Sequence, residues 1–112
     1  MSKYMQISVS VKPHYGGELK NTYPRLARHL GYLDAALVQR NPSLYELAAG
    51  LDKLMYAFEG TTLREVLLRH RENLKNLHEN IEGNIANWNL AQADRLLYKL
   101  EDIFDDIEVE LS

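Results

Sequence analysis

The sequence contains no cysteine, only three prolines and six glycines, and no apolar run long enough to cross a bilayer. The absence of cysteine excludes disulfides, thiolate zinc sites and cysteine nucleophiles, and it fits a reducing compartment. With 46% hydrophobic and 26% charged residues, the composition is typical of a folded globular chain. A membrane span needs about 18 or more apolar residues, and the N-terminus lacks a signal-like apolar segment. We therefore expect a cytoplasmic protein that does not enter a membrane.

The 112 residues suffice for one modest hydrophobic core, so we expect a single domain over residues 1–112. Within it, residues 1–21 form a strand and loop arm, and residues 22–112 form a helical bundle. Only residues 4–12 alternate apolar and polar side chains, which predicts a β-strand with one apolar face: Met5, Ile7, Val9 and Val11. A lone strand leaves backbone groups unpaired. We expect it to pair with a second copy in a homodimer, pair with a partner protein, or pack as an extended arm.

Apolar residues at steps of three and four predict four helices in the rest of the chain. The first begins near Pro24, and Asn41 caps the second. Thr62 and Glu65 form a capping box at the start of the third helix, and Asn89 caps the fourth. Because the connections are only a few residues long, neighbouring helices should be antiparallel. The expected fold is mainly α, a four-helix up-and-down bundle with one short N-terminal β-strand.

The last twelve residues contain six acidic side chains and no basic one. The acids are Glu101, Asp102, Asp105, Asp106, Glu108 and Glu110. Carboxylates near the C-terminus of a helix oppose its dipole, so stability alone does not favour them there. One interpretation is a docking surface for a basic protein partner. The alternative is a solvated helix end that keeps the domain soluble.

No residue pattern indicates a metal site, a cofactor site or catalytic residues. A ferritin-like metal centre needs Glu-x-x-His motifs, and none occurs in the sequence. Neither a P-loop, a dinucleotide-binding glycine pattern nor a nucleophile elbow is present. His70 lies on the apolar stripe of the third helix, where we expect a partly buried histidine. Arg69, Arg71 and Lys75 alternate with glutamates at an acidic overall pI near 5.8, so nucleic acid is not an expected partner.

Two arginine–histidine pairs lie in the third predicted helix. Five residues separate Arg64 from His70, and six separate Arg71 from His78. This spacing resembles the Arg-x4-6-His motif of the HEPN ribonucleases, which are small helical bundles. The resemblance implies a histidine that moves the proton of a ribose 2′-hydroxyl and an arginine that stabilises the phosphorane. A glutamate follows each arginine, where that family usually has a small polar residue.

These observations favour a non-enzymatic protein-interaction module over an enzyme. It would act as an inhibitor, an immunity or antitoxin-like protein, a chaperone or an adaptor. The acidic C-terminal helix and the N-terminal strand would contact the partner. The alternatives are a HEPN-like ribonuclease that uses one of the arginine–histidine pairs, and a structural subunit of a homo-oligomer.

Overall fold

The computed structural model describes residues 19–111, which form a long helical hairpin packed against five short helices. The helices are α1 (Leu19–Thr22), α2 (Pro24–Leu33), α3 (Ala35–Gln39), α4 (Leu44–Ala49), α5 (Leu51–Ala57), α6 (Thr62–Ala86) and α7 (Leu90–Glu110). The described residues contain no strand. The predicted strand over residues 4–12 lies outside them. The prediction of a mainly helical protein is confirmed.

Within residues 19–111 the structure has seven helices in place of the four expected, because the first two expected helices are each divided in two and α1 is additional. Residues 19–21, expected to belong to the N-terminal arm, are therefore helical. A proline disfavours helical backbone in the residue before it, and Tyr23, which precedes Pro24, separates α1 from α2 with φ −128° and ψ 69°. Asp34 ends α2, and its side chain accepts a hydrogen bond from the first turn of α3. Gly50 separates α4 from α5. The third and fourth expected helices are the single helices α6 and α7, and α6 continues through Gly83.

The cap of α6 lies one residue earlier than the sequence predicts. Thr61 Oγ1 accepts a hydrogen bond from Arg64 N at 3.3 Å and donates one to Phe58 O at 2.6 Å. Thr62 is therefore the first residue inside the helix rather than its cap. The hydroxyl of Thr61 therefore satisfies both the amide of Arg64 in the first turn of α6 and the carbonyl of Phe58 before it. These two hydrogen bonds explain why the helix begins there.

The predicted cap of the second helix is also wrong. Ser43, not Asn41, caps α4, because Ser43 Oγ accepts a hydrogen bond from Glu46 N at 3.1 Å. Asn41 adopts a left-handed backbone with φ 52°, which asparagine tolerates better than most residues. Its Oδ1 accepts a hydrogen bond from Leu19 N at 2.7 Å, so it satisfies the start of α1 instead.

The apolar stripes of the helices meet in one core. Its fully buried members include Leu26, Leu30, Leu51, Phe58, Leu63, Leu67, Leu74, Ile81, Leu100, Phe104 and Ile107. Three residues at positions of the predicted apolar spacing lie outside it: Leu33, Trp88 and Leu90. Leu33 is 54% exposed because α2 ends there, and Leu90 is 42% exposed because it begins α7 at the end of the hairpin. The predicted helical periodicity thus identifies most of the core and fails at helix ends.

A tight turn over residues 87–89 joins α6 to α7. Asn89 N donates to Asn84 O at 2.8 Å and Trp88 N donates to Ile85 O at 3.0 Å, which is the Schellman pattern of helix termination. The left-handed position in that pattern is usually glycine, but here it is Trp88, with φ 60° and 56% of its surface exposed. Asn89 Nδ2 donates to Asn84 Oδ1 at 3.0 Å, so its side chain does not cap α7 as expected.

The backbone of this turn predicts an unusual ranking of substitutions at position 88. Replacing Trp88 by Gly should give a protein about 1 kcal/mol more stable than replacing it by Ala, because only glycine adopts positive φ without steric cost. Urea unfolding of both variants under identical conditions measures the difference. An alanine variant as stable as the glycine variant would contradict the left-handed geometry at this residue.

Candidate functional site

The six acids of the C-terminal helix divide into two sets according to their contacts. Three contact other helices of the protein, and we call them the inner acids: Asp105, Glu108 and Glu110. Three are exposed, and we call them the outer acids: Glu101, Asp102 and Asp106. The outer acids make no hydrogen bond or ion pair with another residue of the described range 19–111. The predicted binding residues therefore do not form one uniform surface.

Glu108 caps the N-terminus of α2. Its Oε2 accepts a hydrogen bond from Arg25 N at 2.8 Å, and its Oε1 accepts one from Leu26 N at 2.9 Å. The first amides of a helix have no partner within it, and the N-cap residue Tyr23 supplies no side-chain cap. A carboxylate at this end also interacts favourably with the helix dipole. Glu108 therefore replaces a local cap from 82 residues away in the chain.

Arg25 makes the reciprocal contact at the C-terminus of α7. Its Nη1 donates to Leu111 O at 3.1 Å and lies 3.4 Å from Glu108 O and 3.5 Å from Val109 O. The last carbonyls of a helix lack partners within it, and a positive charge suits that end of the dipole. Each helix thus supplies the charge that the other requires. We call this pair of contacts the α2–α7 clamp.

Asp105 satisfies a buried tyrosine beside the clamp. Tyr23 is only 5% exposed, and its hydroxyl donates to Asp105 Oδ1 at 2.9 Å. The Tyr23 ring meets Phe104 edge to face, with ring centroids 6.5 Å apart. A buried phenol normally needs a hydrogen-bond partner, and its ring adds apolar contact. Asp105 therefore stabilises the fold and is not free to bind another protein without exposing this group.

Glu110 joins α7 to α6. His70 Nε2 lies 2.6 Å from Glu110 Oε2, and Arg69 Nη1 lies 3.6 Å from Glu110 Oε1. The hydrogen bond to His70 lowers the pKa of Glu110 below its ordinary value of 4.5; the charges of His70 and Arg69 lower it further, and partial desolvation opposes them. The side chain of His70 is 17% exposed, which confirms the expected partly buried histidine.

The outer acids lie beside two exposed apolar side chains. Tyr98 is 63% exposed and Val109 is 75% exposed. Steps of four, four and three residues lead from Tyr98 through Asp102 and Asp106 to Val109, so these four side chains share one side of α7. Glu101 follows Tyr98 by three residues and flanks the same side. We call these five residues the outer face of α7.

On α6, two of the basic residues pair with an acid of α5. Arg71 Nε lies 3.3 Å from Asp52 Oδ1, and Lys75 Nζ lies 3.2 Å from Asp52 Oδ2. The hydrogen bond from Lys75 is the main cause that lowers the pKa of Asp52 below its ordinary value of 3.8; the hydrogen bond and charge of Arg71 add to it. This pairing neutralises part of the basic side of α6.

His78, one turn beyond, stacks on Tyr45 with ring centroids 4.7 Å apart, and its Nε2 lies 3.8 Å from Glu82 Oε2. Burial raises the pKa of the Tyr45 hydroxyl, and the charge of Glu82 raises it further. Arg71 therefore pairs with Asp52, whereas His78 contacts Tyr45 and Glu82. His70 pairs with Glu110. Neither arginine–histidine pair shares a contact within residues 19–111.

The side chains around these contacts line a small open groove between α6 and the two short helices α4 and α5. Asp52, Lys75, His78 and Glu79 supply its polar lining. Across residues 19–111, no three histidine, aspartate or glutamate side chains are grouped so that they could hold a metal ion. Likewise, none of the helices described above is both long enough and apolar enough to cross a membrane.

Some residues of the site were not identified from the sequence. Arg25 and Tyr23 complete the contacts of the inner acids, and the only sequence signal for them is that no capping side chain stands directly before Pro24. Tyr98 could have been found, because it falls outside the apolar heptad of α7 and four residues before Asp102. Of the predicted strand residues, Met5, Ile7, Val9 and Val11, all lie outside the described range, as does the expected pairing in a homodimer.

Comparison with protein-family models, characterised proteins and solved structures finds no match for this chain. The assignment of a function therefore depends on the contacts and charges described above.

The division of the acids predicts a large effect on stability for one substitution and a small effect for a similar one. Glu108→Ala should lower the free energy of unfolding by about 2 kcal/mol, because two charged cap hydrogen bonds are lost and the amides of Arg25 and Leu26 lose their acceptor. Asp106→Ala, two residues away on the same helix, should change it by no more than about 0.5 kcal/mol. Chemical denaturation of both variants measures this contrast. Equal losses would show that Glu108 does not hold α2.

The lowered pKa values of Asp52 and Glu110 predict acid sensitivity. Both carboxyls have a folded pKa below the unfolded value, so their stabilising effect is present near neutral pH. It should decline as the pH falls below about 5 and through the lowered folded values. Thermal unfolding between pH 7 and pH 3 should show a shallower decline for the double variant Asp52→Asn, Glu110→Gln than for the wild type. Identical pH profiles would contradict both ion pairs.

Proposed function

We propose that this protein is a non-enzymatic interaction module that binds a basic partner protein through the outer face of α7. It would act as an inhibitor, an immunity or antitoxin-like protein, a chaperone or an adaptor. The observation that carries the proposal is the contrast between the inner and outer acids. Contacts within the fold account for Asp105, Glu108 and Glu110, whereas Glu101, Asp102 and Asp106 contribute no such contact.

The outer acids are an electrostatic cost to the isolated protein. Asp106 lies next to the last turn of α7, where a negative charge opposes the helix dipole. Side chains four residues apart on a helix have Cβ atoms about 5–6 Å apart, so Asp102 and Asp106 also repel one another. A partner with lysine or arginine side chains would convert both costs into attraction and would be steered towards this face.

The apolar members of the outer face give the partner more than charge to recognise. Tyr98 and Val109 lie at its two ends, about 16 Å apart along the helix axis. Exposed single charges contribute little affinity in water, whereas a tyrosine that becomes buried is a frequent source of binding energy. The combination of apolar side chains and unpaired acids therefore favours a protein partner over a simple role in solubility.

The proposal predicts that binding requires the outer acids and tolerates the loss of other acids. The outer-acid variant carries Glu101→Gln, Asp102→Asn and Asp106→Asn, and the control variant carries Glu59→Gln, Glu72→Gln and Glu79→Gln. Both change the net charge equally at exposed positions. Affinity purification from the native host with tagged wild type identifies the partner by mass spectrometry. Titration calorimetry with the purified partner then compares the three proteins.

We expect the outer-acid variant to bind at least about tenfold more weakly at low salt, and the control variant to bind like wild type. Raising the salt concentration should weaken the wild type more than the outer-acid variant. The inner acids are left intact, so the contacts that hold α7 to α2 and α6 are kept. Equal affinity of wild type and the outer-acid variant would remove this face from the proposed function.

A further inference from the structure

One side of α7 carries two bases followed by two acids. Arg95 and Lys99 are four residues apart, and Asp102 and Asp106, which begin three residues later, repeat the same spacing. Residues three and four apart are neighbours on the surface of a helix, so these four side chains form one line along it. All four are exposed. Their charge changes from positive to negative along the helix, and we call them the charged line of α7.

Exposed apolar side chains accompany the charged line. Tyr98 is 63% exposed and lies three residues after Arg95 and four residues before Asp102. Ala91 lies four residues before Arg95, and Val109 lies seven residues after Asp102, and both are exposed. These spacings return to the same side of a helix. This side therefore combines charges of both signs with apolar contacts over about 27 Å, from Ala91 to Val109.

The order of the charges makes this side of α7 complementary to itself. The middle of the charged line falls midway between Lys99 and Asp102. In an antiparallel pair of α7 helices with a two-fold axis at that point, Arg95 lies opposite Asp106 of the second copy. Lys99 likewise lies opposite Asp102 of the second copy. A two-fold axis repeats each contact, so four pairs of opposite charge form.

The same arrangement brings the two Tyr98 side chains together. Because Tyr98 lies close to the axis, the two copies of this residue are only about 8 Å apart along the helices. Packed helices lie about 8–10 Å apart, so both phenol rings lose contact with water. Burial of an aromatic ring supplies affinity, whereas exposed ion pairs supply little. The charge pairs therefore set the orientation and Tyr98 stabilises the contact.

The presence of both signs of charge decides among the occupants of this side. A uniformly basic helix would attract Asp102 and Asp106 but would repel Arg95 and Lys99. An anionic membrane would attract the two bases and repel the two acids. A second copy in parallel orientation would set bases against bases. An antiparallel second copy matches both halves of the charged line, with Glu101 at the edge of the contact, because successive residues of a helix point about 100° apart.

We propose that this chain forms a homodimer by antiparallel packing of two α7 helices along the charged line, with Tyr98 of both copies at its centre. The dimer goes beyond the proposed function, because it depends on Arg95 and Lys99 as well as on the acids. It covers Asp102 and Asp106, so a basic partner and the second copy compete for the same face. A small interface rich in charge is typical of a dimer that dissociates on dilution.

Reversal of the charges tests the pairing. The acidic variant carries Arg95→Glu and Lys99→Glu, and the basic variant carries Asp102→Lys and Asp106→Lys. By sedimentation equilibrium, we expect each variant to self-associate at least about tenfold more weakly than wild type, because like charges then face each other across the axis. An equimolar mixture should restore a dimer with one copy of each variant. The restored dimer also shows that both variants fold.

A matched control separates pairing from net charge. The variant with Glu59→Lys and Glu72→Lys changes the net charge as much as the basic variant does, at exposed positions outside α7. It should self-associate like wild type and should not replace the basic variant in the mixture. A loss of self-association as large as that of the basic variant would contradict the pairing.

The orientation of the two helices is measured by electron paramagnetic resonance. The chain contains no cysteine, so Ala91→Cys introduces a single site for a spin label. Ala91 lies near the beginning of α7, far from the axis. Labels in the antiparallel pair should be about 30 Å apart, whereas a parallel pair would bring them to about 10 Å. The shorter distance would overturn the antiparallel dimer.

The outcomes separate this dimer from the proposed function. A wild type that stays monomeric up to about 1 mM would overturn the dimer, while the partner purified from the host would still test the proposed function. A dimer that survives both charge reversals would use another surface and would overturn the pairing along α7. If the charge reversals act as expected and the outer-acid variant binds the host partner like wild type, the dimer stands and the proposed function fails.

Discussion

The α2–α7 clamp is the contact on which the arrangement of the short helices depends. The carboxylate of Glu108 holds the first amides of α2, and the guanidinium of Arg25 holds the last carbonyls of α7. Each helix end therefore receives a partner of opposite charge that its own sequence does not provide. Tyr23 and Asp105 add a satisfied buried phenol beside it. The clamp holds the N-terminus of α2 against the C-terminus of α7, beside the buried side chains of Phe104 and Leu111.

The contacts of the inner acids distinguish them from the outer acids. A carboxylate near the C-terminus of a helix is unfavourable until it meets a donor, and the inner acids meet donors from α2 and α6. The outer acids meet no such donor within residues 19–111. A basic partner would supply donors, and the neighbouring Tyr98 and Val109 would supply apolar contact. In this account the helix uses some of its acids to assemble the fold and the others to bind another protein.

Patterns in the sequence predict the features that depend on residues close together in the chain. The apolar spacing identifies α6 and α7 and most of the core, because burial of one helix face fixes that period. Caps were less well predicted, since Thr61 and Ser43 compete with similar neighbours one or two residues away. The roles of Glu108 and Arg25 could not be predicted, because their partners are 82 to 86 residues distant in the chain. The sequence therefore shows that the acidic end is unusual, but it does not show which acids are inner and which are outer.

The most direct measurement of this division is amide chemical-shift mapping by NMR as the partner protein purified from the native host is added. The account predicts shifts at Tyr98, Asp102 and Asp106 on the outer face of α7. The amides of Arg25 and Leu26, which donate to Glu108, should keep their positions throughout the titration. Shifts at Arg25 and Leu26 with none at Tyr98 would show that the partner competes for the clamp, and would contradict the account.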